Sequence, residues 1–316
     1  MSRRPYFFEI FTLVNVAAAV LVWPVFRPAW LLQGLNFLPA FLALAGTGVL
    51  ARYALLLRQR RTRGYLRVLG SRLWLTDSLR ICFFCALSSY TYACIKLAVP
   101  LLGRGLYDQQ LWDLDARLGF GYSPNLLFLA LFSNRLLLRA IDWTYANIFL
   151  ACLFSASMYF ISTPNRRVRI AFMSSNVTLW LTGAWLYVLV PSVGPAYRFP
   201  QIWQPLGDGL GRTQFLQRLL MTNYQILVQG RPAPVNIGLG VAAFPSLHVA
   251  FVALLFLWLR QRDLGRRIFG SCTVLIFIGS IVTGWHYLVD SLAGLVLAGI
   301  CFAIFRRKLP LAEYWG

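Results

Sequence analysis

Apolar runs of near-membrane length follow one another along almost the whole sequence. A helix needs about 20 apolar residues to cross the hydrocarbon core of a bilayer, and eight runs approach or reach that length. Hydrophobic residues make up 59% of the chain, whereas ordinary soluble domains contain about 45–50%. Lipid must therefore be the solvent for part of the surface, and we predict an all-α polytopic membrane protein with about eight transmembrane helices. The runs are residues 6–26, 35–57, 78–102, 140–162, 170–190, 246–259, 268–285 and 287–305.

The positive charge is concentrated in short clusters between these runs. The chain has 30 Lys and Arg residues against 10 Asp and Glu, a formal net charge of +20. A basic excess can indicate nucleic-acid binding, but clusters in alternate loops indicate membrane orientation, so we predict no nucleic-acid partner. The bias predicts an integral, multi-pass cell-membrane protein with both termini in the cytoplasm. The cytoplasmic clusters would be Arg3–Arg4, Arg58–Arg72, Arg166–Arg169, Arg260–Arg267 and Arg306–Lys308.

Two long segments then face the non-cytoplasmic side. In residues 103–139, Leu111, Leu114 and Leu118 recur at helical spacing, which predicts an interfacial helix. The apolar stretch 124–134 is too short to cross the membrane and is predicted to lie in the interface. Residues 191–245 are rich in Gly and Pro and are predicted to form the largest loop.

The chain has two histidines, and this topology puts both on the non-cytoplasmic side. His286 is followed four residues later by Asp290, at the start of the last run. On a helix these residues share a face, so Asp290 could accept a hydrogen bond from one ring nitrogen and leave the other as a nucleophile. A purely structural His–Asp pair that caps a helix would have the same sequence.

His248 follows Pro245 and Ser246, where another helix is predicted to begin. Serine is a good N-cap, and backbone N–H groups at a helix N-terminus bind phosphate. His248 there could protonate a leaving oxygen; alternatively, Ser246 only caps and His248 only anchors at the interface. Considered together with His286, the two imidazoles could serve attack on phosphorus and departure of the leaving group, as double displacement at phosphate requires.

These segments resemble the type 2 phosphatidic acid phosphatase superfamily of membrane phosphatases and phosphotransferases, most closely its inositol phosphorylceramide synthase-like branch. "FPSLH" is similar to the second motif of that branch, "HYLVDSLAG" to the third, and "DQQLWDLDARLGFGYSP" to an upstream segment. The resemblance covers residues 106–305. We therefore divide the chain into N-terminal transmembrane helices, residues 1–105, and a phosphatase-like catalytic membrane domain, residues 106–316.

The resemblance implies roles for individual residues. His286 would be the nucleophile that forms a phosphohistidine, Asp290 its partner and His248 the acid, while Ser246 would help to bind phosphate.

In "VGPAYRFP", Arg198 and the adjacent Tyr197 would also bind phosphate, although Tyr197 equally suits the aromatic belt at the membrane interface. The family's first-motif Lys falls on Pro191 and the third-motif Arg falls on Ser280, so those two cations are missing. The departures put simple hydrolysis of phosphatidic acid in doubt and make Arg198 more important. Other arginines of the same segment could share the charge or could simply be solvated. They are Arg212, Arg218 and Arg231.

The remaining acidic residues carry weaker hypotheses. Asp108, Asp113 and Asp115 could bind a metal or a polar headgroup, but solvation of the outer face of the interfacial helix is the simpler expectation. Asp142 would stabilise the N-terminus of the fourth run. Histidine attack needs no metal, and the six cysteines lie in apolar stretches without a complete ligand set, so we expect no cofactor.

The predicted function is transfer of a phosphoryl or phospho-headgroup, phosphoinositol-like, from a lipid through a phosphohistidine at the non-cytoplasmic face. A polyprenyl-phosphate or phospholipid phosphatase is the close alternative. A transporter with a histidine proton relay is a second one, and it requires further ionisable residues in mid-membrane. The candidates for such residues are Glu9, Arg52, Asp77, Arg80 and Lys96.

Overall fold

A computed structural model describes residues 4–22, 28–102, 105–230 and 234–307 of the chain. Three basic residues used in the predictions above, Arg3, Arg231 and Lys308, lie outside these described residues.

The described residues form α-helices, joined by turns and two short 3₁₀ segments, and contain no strand, which confirms the predicted all-α class. The helices are α1 (Phe7–Val22), α2 (Pro28–Leu35), α3 (Phe37–Arg58), α4 (Thr62–Leu69), α5 (Arg72–Ala98), α6 (Asp108–Leu118), α7 (Pro124–Leu131), α8 (Arg135–Ser162), α9 (Arg166–Leu189), α10 (Pro195–Arg198), α11 (Pro200–Trp203), α12 (Gly211–Val228), α13 (Leu247–Leu259), α14 (Asp263–Val282) and α15 (Leu288–Arg306).

The described parts of all eight predicted apolar runs lie mainly on helices. Among the described residues, five helices are long and apolar enough to cross a membrane, whereas α1 and α13 are apolar but shorter. The five correspond to five of the predicted runs; the other three runs lie on α1, α9 and α13, for which crossing of the membrane stays a prediction. The five are Leu32–Arg58, Arg72–Leu101, Arg135–Ser162, Asp263–Val282 and Leu288–Arg306.

The chain divides into two compact units. The first contains the described residues of 1–92, 151–181 and 301–316, and the second contains those of 93–150 and 182–300. The boundary at residues 105 and 106, drawn above from the motifs, stays a prediction.

Ion pairs and aromatic packing hold the first unit together. Arg80 pairs with the buried carboxylate of Glu9, and the Phe160 and Phe172 rings stack at a centroid distance of 3.5 Å. Asp77 is fully buried and accepts from Tyr6 Oη at 2.6 Å and from Arg166 Nε at 2.6 Å.

The second unit contains both histidines. Its helices α13 and α14 form an antiparallel hairpin, and Leu138, Ala196, Trp203, Leu210 and Val282 form a buried cluster beside it. Trp203 Nε1 donates to the Val282 carbonyl at 3.0 Å, which fixes the last turn of α14.

The predicted loop 191–245 is only partly a loop, because it contains the 18-residue helix α12. The inward side chains of α12 are mostly polar: Thr213, Gln217 and Asn223 are buried together with Leu227. Asn223 Nδ2 donates to the carbonyls of Asn236 and Leu239, and Gln217 Nε2 donates to that of Thr283. A helix that packs through amides has no apolar period to detect, so hydrophobic periodicity missed it.

Candidate active site

His286 lies in the short connection between α14 and α15, as the sequence predicted. Gly284 in this turn has φ +72°, a conformation that glycine adopts without steric cost, and its carbonyl accepts from Ala196 N at 2.9 Å. His286 N donates to the Ser280 carbonyl at 3.1 Å. The backbone of the turn is thus held on both sides of the histidine.

The ring of His286 is oriented by a main-chain carbonyl. Its Nδ1 lies 2.9 Å from the Ala243 oxygen, whereas Asp290 Oδ2 is 3.5 Å from the same nitrogen. The expected direct His–Asp hydrogen bond is therefore replaced, because α15 begins at Leu288 and His286 is not on the helix. Asp290 Oδ2 instead accepts from Tyr287 N at 2.9 Å. With Nδ1 donating to Ala243, Nε2 is the ring nitrogen of His286 that keeps its lone pair.

His248 is in the first turn of α13, with its ring facing that of His286. Its Nδ1 lies 3.5 Å from His286 Nε2, and the ring centroids are 5.8 Å apart. The ring packs edge-on against Phe149 at 4.3 Å and lies 5.7 Å from Tyr145, both on α8. The structure thus brings the two histidines into direct apposition, although 38 residues separate them in sequence.

Ser246 is the N-cap of α13, as predicted, and its hydroxyl oxygen accepts from Val249 N at 3.4 Å. Its own N–H donates to the Asp290 carbonyl at 2.9 Å, which joins the two motifs through the main chain. The contact is close: a Cβ on Gly294 of α15 would lie 2.4 Å from the Ser246 carbonyl oxygen. The role of Ser246 in phosphate binding stays a prediction.

The two residues assigned to phosphate binding on α10 have different environments. Arg198 is exposed, with its guanidinium 5.8 Å from the Phe199 ring centre, and it acts electrostatically on Tyr287, the neighbour of His286. Tyr197 Oη donates to the Gln217 carbonyl at 3.0 Å, and burial raises the pKa of this phenol. Arg212 and Arg218 are exposed on α12.

Two acidic residues of α6 are not at its solvated face, which corrects the expectation above. Asp108 and Asp115 are fully buried, whereas Asp113 is exposed. Asp108 accepts from Val193 N, from Gly194 N at 2.8 Å and from Tyr287 Oη at 2.9 Å. Its carboxylate therefore ties the segment before α10 to the residue that follows His286.

Asp115 holds the N-terminus of α15. Its two carboxylate oxygens accept from Leu288 N at 2.6 Å and from Val289 N at 2.8 Å, two orphan donors of the first turn. Burial raises the pKa of Asp115 to about 6, against the effect of these hydrogen bonds. This carboxylate therefore positions the helix that directly follows His286.

Asp142 also stabilises a helix N-terminus, although not that of its own helix. It accepts from Arg212 N at 2.9 Å and from Thr213 N at 2.8 Å, and so caps α12. Asp142 lies in the interior of α8, because that helix begins at Arg135, before the predicted start of the run.

Sequence reasoning gave no role at the site to two residues that the fold brings to it. Asn125 Nδ2 donates to the carbonyls of Ile281 at 3.1 Å and His286 at 3.2 Å. Lys96, near the end of α5, acts electrostatically on both imidazole rings. Burial, and next the Lys96 ammonium, lower the pKa of His286 to about 3, so its ring is neutral at pH 7.

Within the part of the chain that the structure describes, three buried polar atoms of residues around the histidines lack a hydrogen-bond partner. Tyr145 Oη, Asn125 Oδ1 and Asp290 Oδ1 are buried and make no hydrogen bond within the described structure. Such atoms are costly unless a partner satisfies them. No group of three or more His, Cys, Asp or Glu side chains in the described ranges is arranged to hold a metal ion.

The sequence matches the family model of the PAP2 superfamily over residues 109–304. Because the match covers well over half of the chain, the protein belongs to this superfamily, which is the type 2 phosphatidic acid phosphatase superfamily named above. The family and the apolar helices together define a membrane enzyme of the lipid phosphatase or phosphotransferase type, with lipid-linked phosphates as the class of substrate. Neither a curated protein nor a solved structure matches the chain.

Proposed function

We propose that this protein transfers a phospho-headgroup from a lipid-linked phosphoester to a second hydroxyl compound, through a phosphohistidine on His286. The observation that carries the proposal is the apposition of the two rings, with His248 Nδ1 3.5 Å from His286 Nε2 and His286 Nδ1 tied to a carbonyl. One nitrogen is thereby left as a nucleophile, and the other faces the place where a leaving oxygen must depart.

In the first step, the lone pair of His286 Nε2 forms a bond to phosphorus as the bond from phosphorus to the lipid oxygen breaks. His248 enters this step protonated, a form that the anionic phosphate beside its ring favours. Its proton passes to that oxygen, which leaves as an alcohol. Positive charge develops on the His286 ring, where Asp290 Oδ2 is 3.5 Å from Nδ1 and stabilises the charge.

In the second step, His248, now neutral, takes the proton of an acceptor hydroxyl. The acceptor oxygen bonds to phosphorus, the bond from phosphorus to Nε2 breaks, and His286 returns to its neutral state. The acceptor is the point at which the two candidate activities separate, since a lipid or polyol hydroxyl gives a transferase and water gives a phosphatase.

The rings must separate when substrate binds. A phosphorus atom in line between an attacking nitrogen and a protonated leaving oxygen needs more room than the 3.5 Å between Nδ1 of His248 and Nε2 of His286. His286 is held by its hydrogen bond to the Ala243 carbonyl, so we expect the ring of His248 to be the one that moves.

Two features favour the transferase over the phosphatase. First, Pro191 and Ser280 occupy the positions where the phosphatase form has a Lys and an Arg. The Ser280 hydroxyl is hydrogen-bonded to the Phe277 carbonyl and to Ser291 Oγ. In addition, the segment that resembles the inositol phosphorylceramide synthase-like branch contains Asp108 and Asp115, which brace the residues around His286. Hydrolysis of a polyprenyl phosphate or phospholipid is the second candidate, because family membership supports it equally.

A proton-relay transporter has less support. Of its candidate residues, Glu9 is paired with Arg80, Asp77 with Arg166, and Arg52 with the Tyr159 carbonyl. All of these belong to the first unit, whereas the histidines belong to the second, where Lys96 is the remaining candidate.

In keeping with the basic clusters, we place the active site on the non-cytoplasmic side of the cell membrane.

The test uses purified protein in detergent with phosphorus-labelled phospholipids and polyprenyl phosphates, with or without a polyol or second lipid as acceptor. Products are separated by thin-layer chromatography for wild type and His286→Ala. A labelled lipid that requires the acceptor and is absent with His286→Ala supports the transferase. Free phosphate that is absent with the variant supports the phosphatase. Turnover that persists in His286→Ala rejects the catalytic assignment.

A further inference from the structure

Lysine is rare in this chain, and one of its two lysines acts electrostatically on both histidines. Of 30 basic residues, only Lys96 and Lys308 are lysines, and all others are arginines. Lys96 lies within the apolar helix α5, inside the candidate span Arg72–Leu101, where a charged side chain is costly and usually functional.

The side chain of Lys96 packs against the segment that precedes Ala243. It is half-buried, and its stem passes Gly240 so closely that a Cβ there would lie 2.9 Å from Lys96 Cγ. Its Nζ lies 5.5 Å from the centre of the Tyr187 ring. Gly240 is three residues before Ala243, whose carbonyl holds His286, so the lysine stem packs against the segment that orients the nucleophile.

Of the three cations that the resemblance implies for the site, the motifs supply only Arg198 here. The transferred group carries negative charge, and Pro191 and Ser280 occupy the positions of the two missing cations. Arg198 is exposed and acts on Tyr287, whereas Lys96 acts electrostatically on both His248 and His286. Lys96 also precedes residues 109–304, so the family match gives it no role.

We propose that the Lys96 ammonium binds the anionic oxygens of the phosphoryl group between His248 and His286, in place of the missing motif lysine. The inference rests on the proposed phosphoryl-transfer function and names the cation of that site. A lysine ammonium is a compact point charge that binds phosphate without the fixed geometry of a guanidinium. Its charge also disfavours protonation of His286 before substrate arrives, and bound phosphate then neutralises that charge.

The first test measures anion binding, which needs no turnover. Orthovanadate, a phosphate analogue, is titrated against the full-length protein in detergent, and its dissociation constant is obtained from the rise in thermal stability. We expect Lys96→Met to weaken vanadate binding about 10- to 100-fold. Lys96→Arg should retain most of the wild-type affinity. Lys308→Met, which removes the other lysine, is the matched control and should leave the affinity unchanged. Unchanged vanadate affinity in Lys96→Met overturns the proposal.

A second measurement on wild type decides the question even if Lys96→Met fails to fold. The protein is treated with an amine-acylating reagent with and without vanadate, and modification of each lysine is read by peptide mass spectrometry. Protection of Lys96 but not of Lys308 supports the proposal. Equal modification of Lys96 with and without vanadate contradicts it.

Lipid turnover separates this inference from the proposed function. If His286-dependent turnover is present but Lys96→Met keeps the KM and vanadate affinity of wild type, the role of Lys96 is wrong and the function stands. If vanadate binds through Lys96 but no lipid phosphoester in the panel is turned over, the anion site stands and the lipid-transfer function loses its support.

Discussion

The orientation of His286 depends on the oxygen that accepts its Nδ1 proton. In serine triads that acceptor is a carboxylate, and its replacement by an amide lowers kcat about 10⁴-fold because the wrong tautomer forms. Here the Ala243 carbonyl is at 2.9 Å and Asp290 Oδ2 is at 3.5 Å. Orientation and charge stabilisation are therefore divided between a main-chain group and a side chain.

We expect Asp290→Asn to lower kcat by about 10- to 100-fold, well short of the loss in a serine triad, because the Ala243 carbonyl keeps the tautomer. The Asn oxygen can still accept from Tyr287 N, so the turn should remain folded. Initial rates with a labelled lipid give kcat, and His286→Ala sets the background. A loss near 10⁴-fold would show that Asp290 orients the ring after all.

The charge state of His286 predicts the acid side of the pH profile. In the proposed mechanism the neutral ring is the nucleophile, and the fraction of neutral ring falls only as the pH drops through the lowered pKa of about 3. We therefore expect kcat/KM to show no decrease due to His286 between about pH 7 and 5, where an ordinary histidine with a pKa near 6.5 would become protonated. The groups that face the ring are Asp290, His248 and Lys96.

Asp115 titrates in the same range, since burial raises its pKa to about 6, so the profile is repeated with Asp115→Asn. An acid limb near pH 6.5 that survives in Asp115→Asn would contradict a neutral, buried His286. Lys96→Met provides an internal check, because loss of the ammonium should raise the pKa of His286 and move its limb to higher pH.

At the scale of elements, the site depends on the close approach of α15 to the start of α13. A Cβ at Gly294 would lie 2.4 Å from the Ser246 carbonyl oxygen, which belongs to the N-cap beside His248. Gly299, on the same helix, has nothing within 4 Å of such a Cβ. The two glycines form a matched pair that differs mainly in packing.

We expect Gly294→Ala to lower the free energy of unfolding by about 1–3 kcal/mol and to reduce kcat, because α15 must shift away from α13. Gly299→Ala should raise stability by about 0.5–1 kcal/mol through helix propensity and leave kcat unchanged. Thermal unfolding in detergent and lipid turnover are measured on both variants. Equal effects of the two substitutions would refute a packing role for Gly294.

Local sequence patterns predicted the elements that are apolar or capped by local side chains. The apolar runs gave the long helices, and Ser246 gave the start of α13. The helix α12 was missed because it packs through Gln217 and Asn223. Local patterns cannot show such contacts, since the positions of the carbonyls that accept from these amides depend on the complete fold.

The same limit applied within the candidate site. The pairing of His248 with His286 followed from motif spacing and topology, and the structure brings the rings together. The role of the Ala243 carbonyl as acceptor for His286 could not be predicted, because every residue type has a main-chain carbonyl. The burial of Asp115 depends on Leu288 and Val289, more than 170 residues along the chain, so the sequence suggested a solvated face instead.

At the scale of the whole molecule, the orientation in the membrane stays a prediction with a direct test. The turn after α6 and the turn after α13 are predicted to lie on opposite sides of the membrane. Phe120 in the first turn is 94% exposed, and Arg262 in the second is exposed as well. Among the native cysteines, Cys272 is partly exposed and the other five are buried, so the background is low once Cys272 is replaced by Ala.

We expect Phe120→Cys to react with a membrane-impermeant maleimide in intact cells, and Arg262→Cys to react only after permeabilisation. Labelling is read by the mass shift of the protein on a gel. The reverse pattern would put His248 and His286 on the cytoplasmic side, and reaction of both positions in intact cells would reject the predicted number of crossings between them.

The carbonyl that orients His286 is a group that every amino acid possesses. No point substitution at position 243 can delete it, although a larger side chain there would disturb the fully buried Ala243 and move the oxygen with it. The orientation of His286 is therefore insensitive to the chemical type of the side chain at position 243. It is sensitive to the volume of that side chain. A relative that lacked the carboxylate at position 290 would be judged inactive from its sequence, yet it would keep the tautomer on which attack depends.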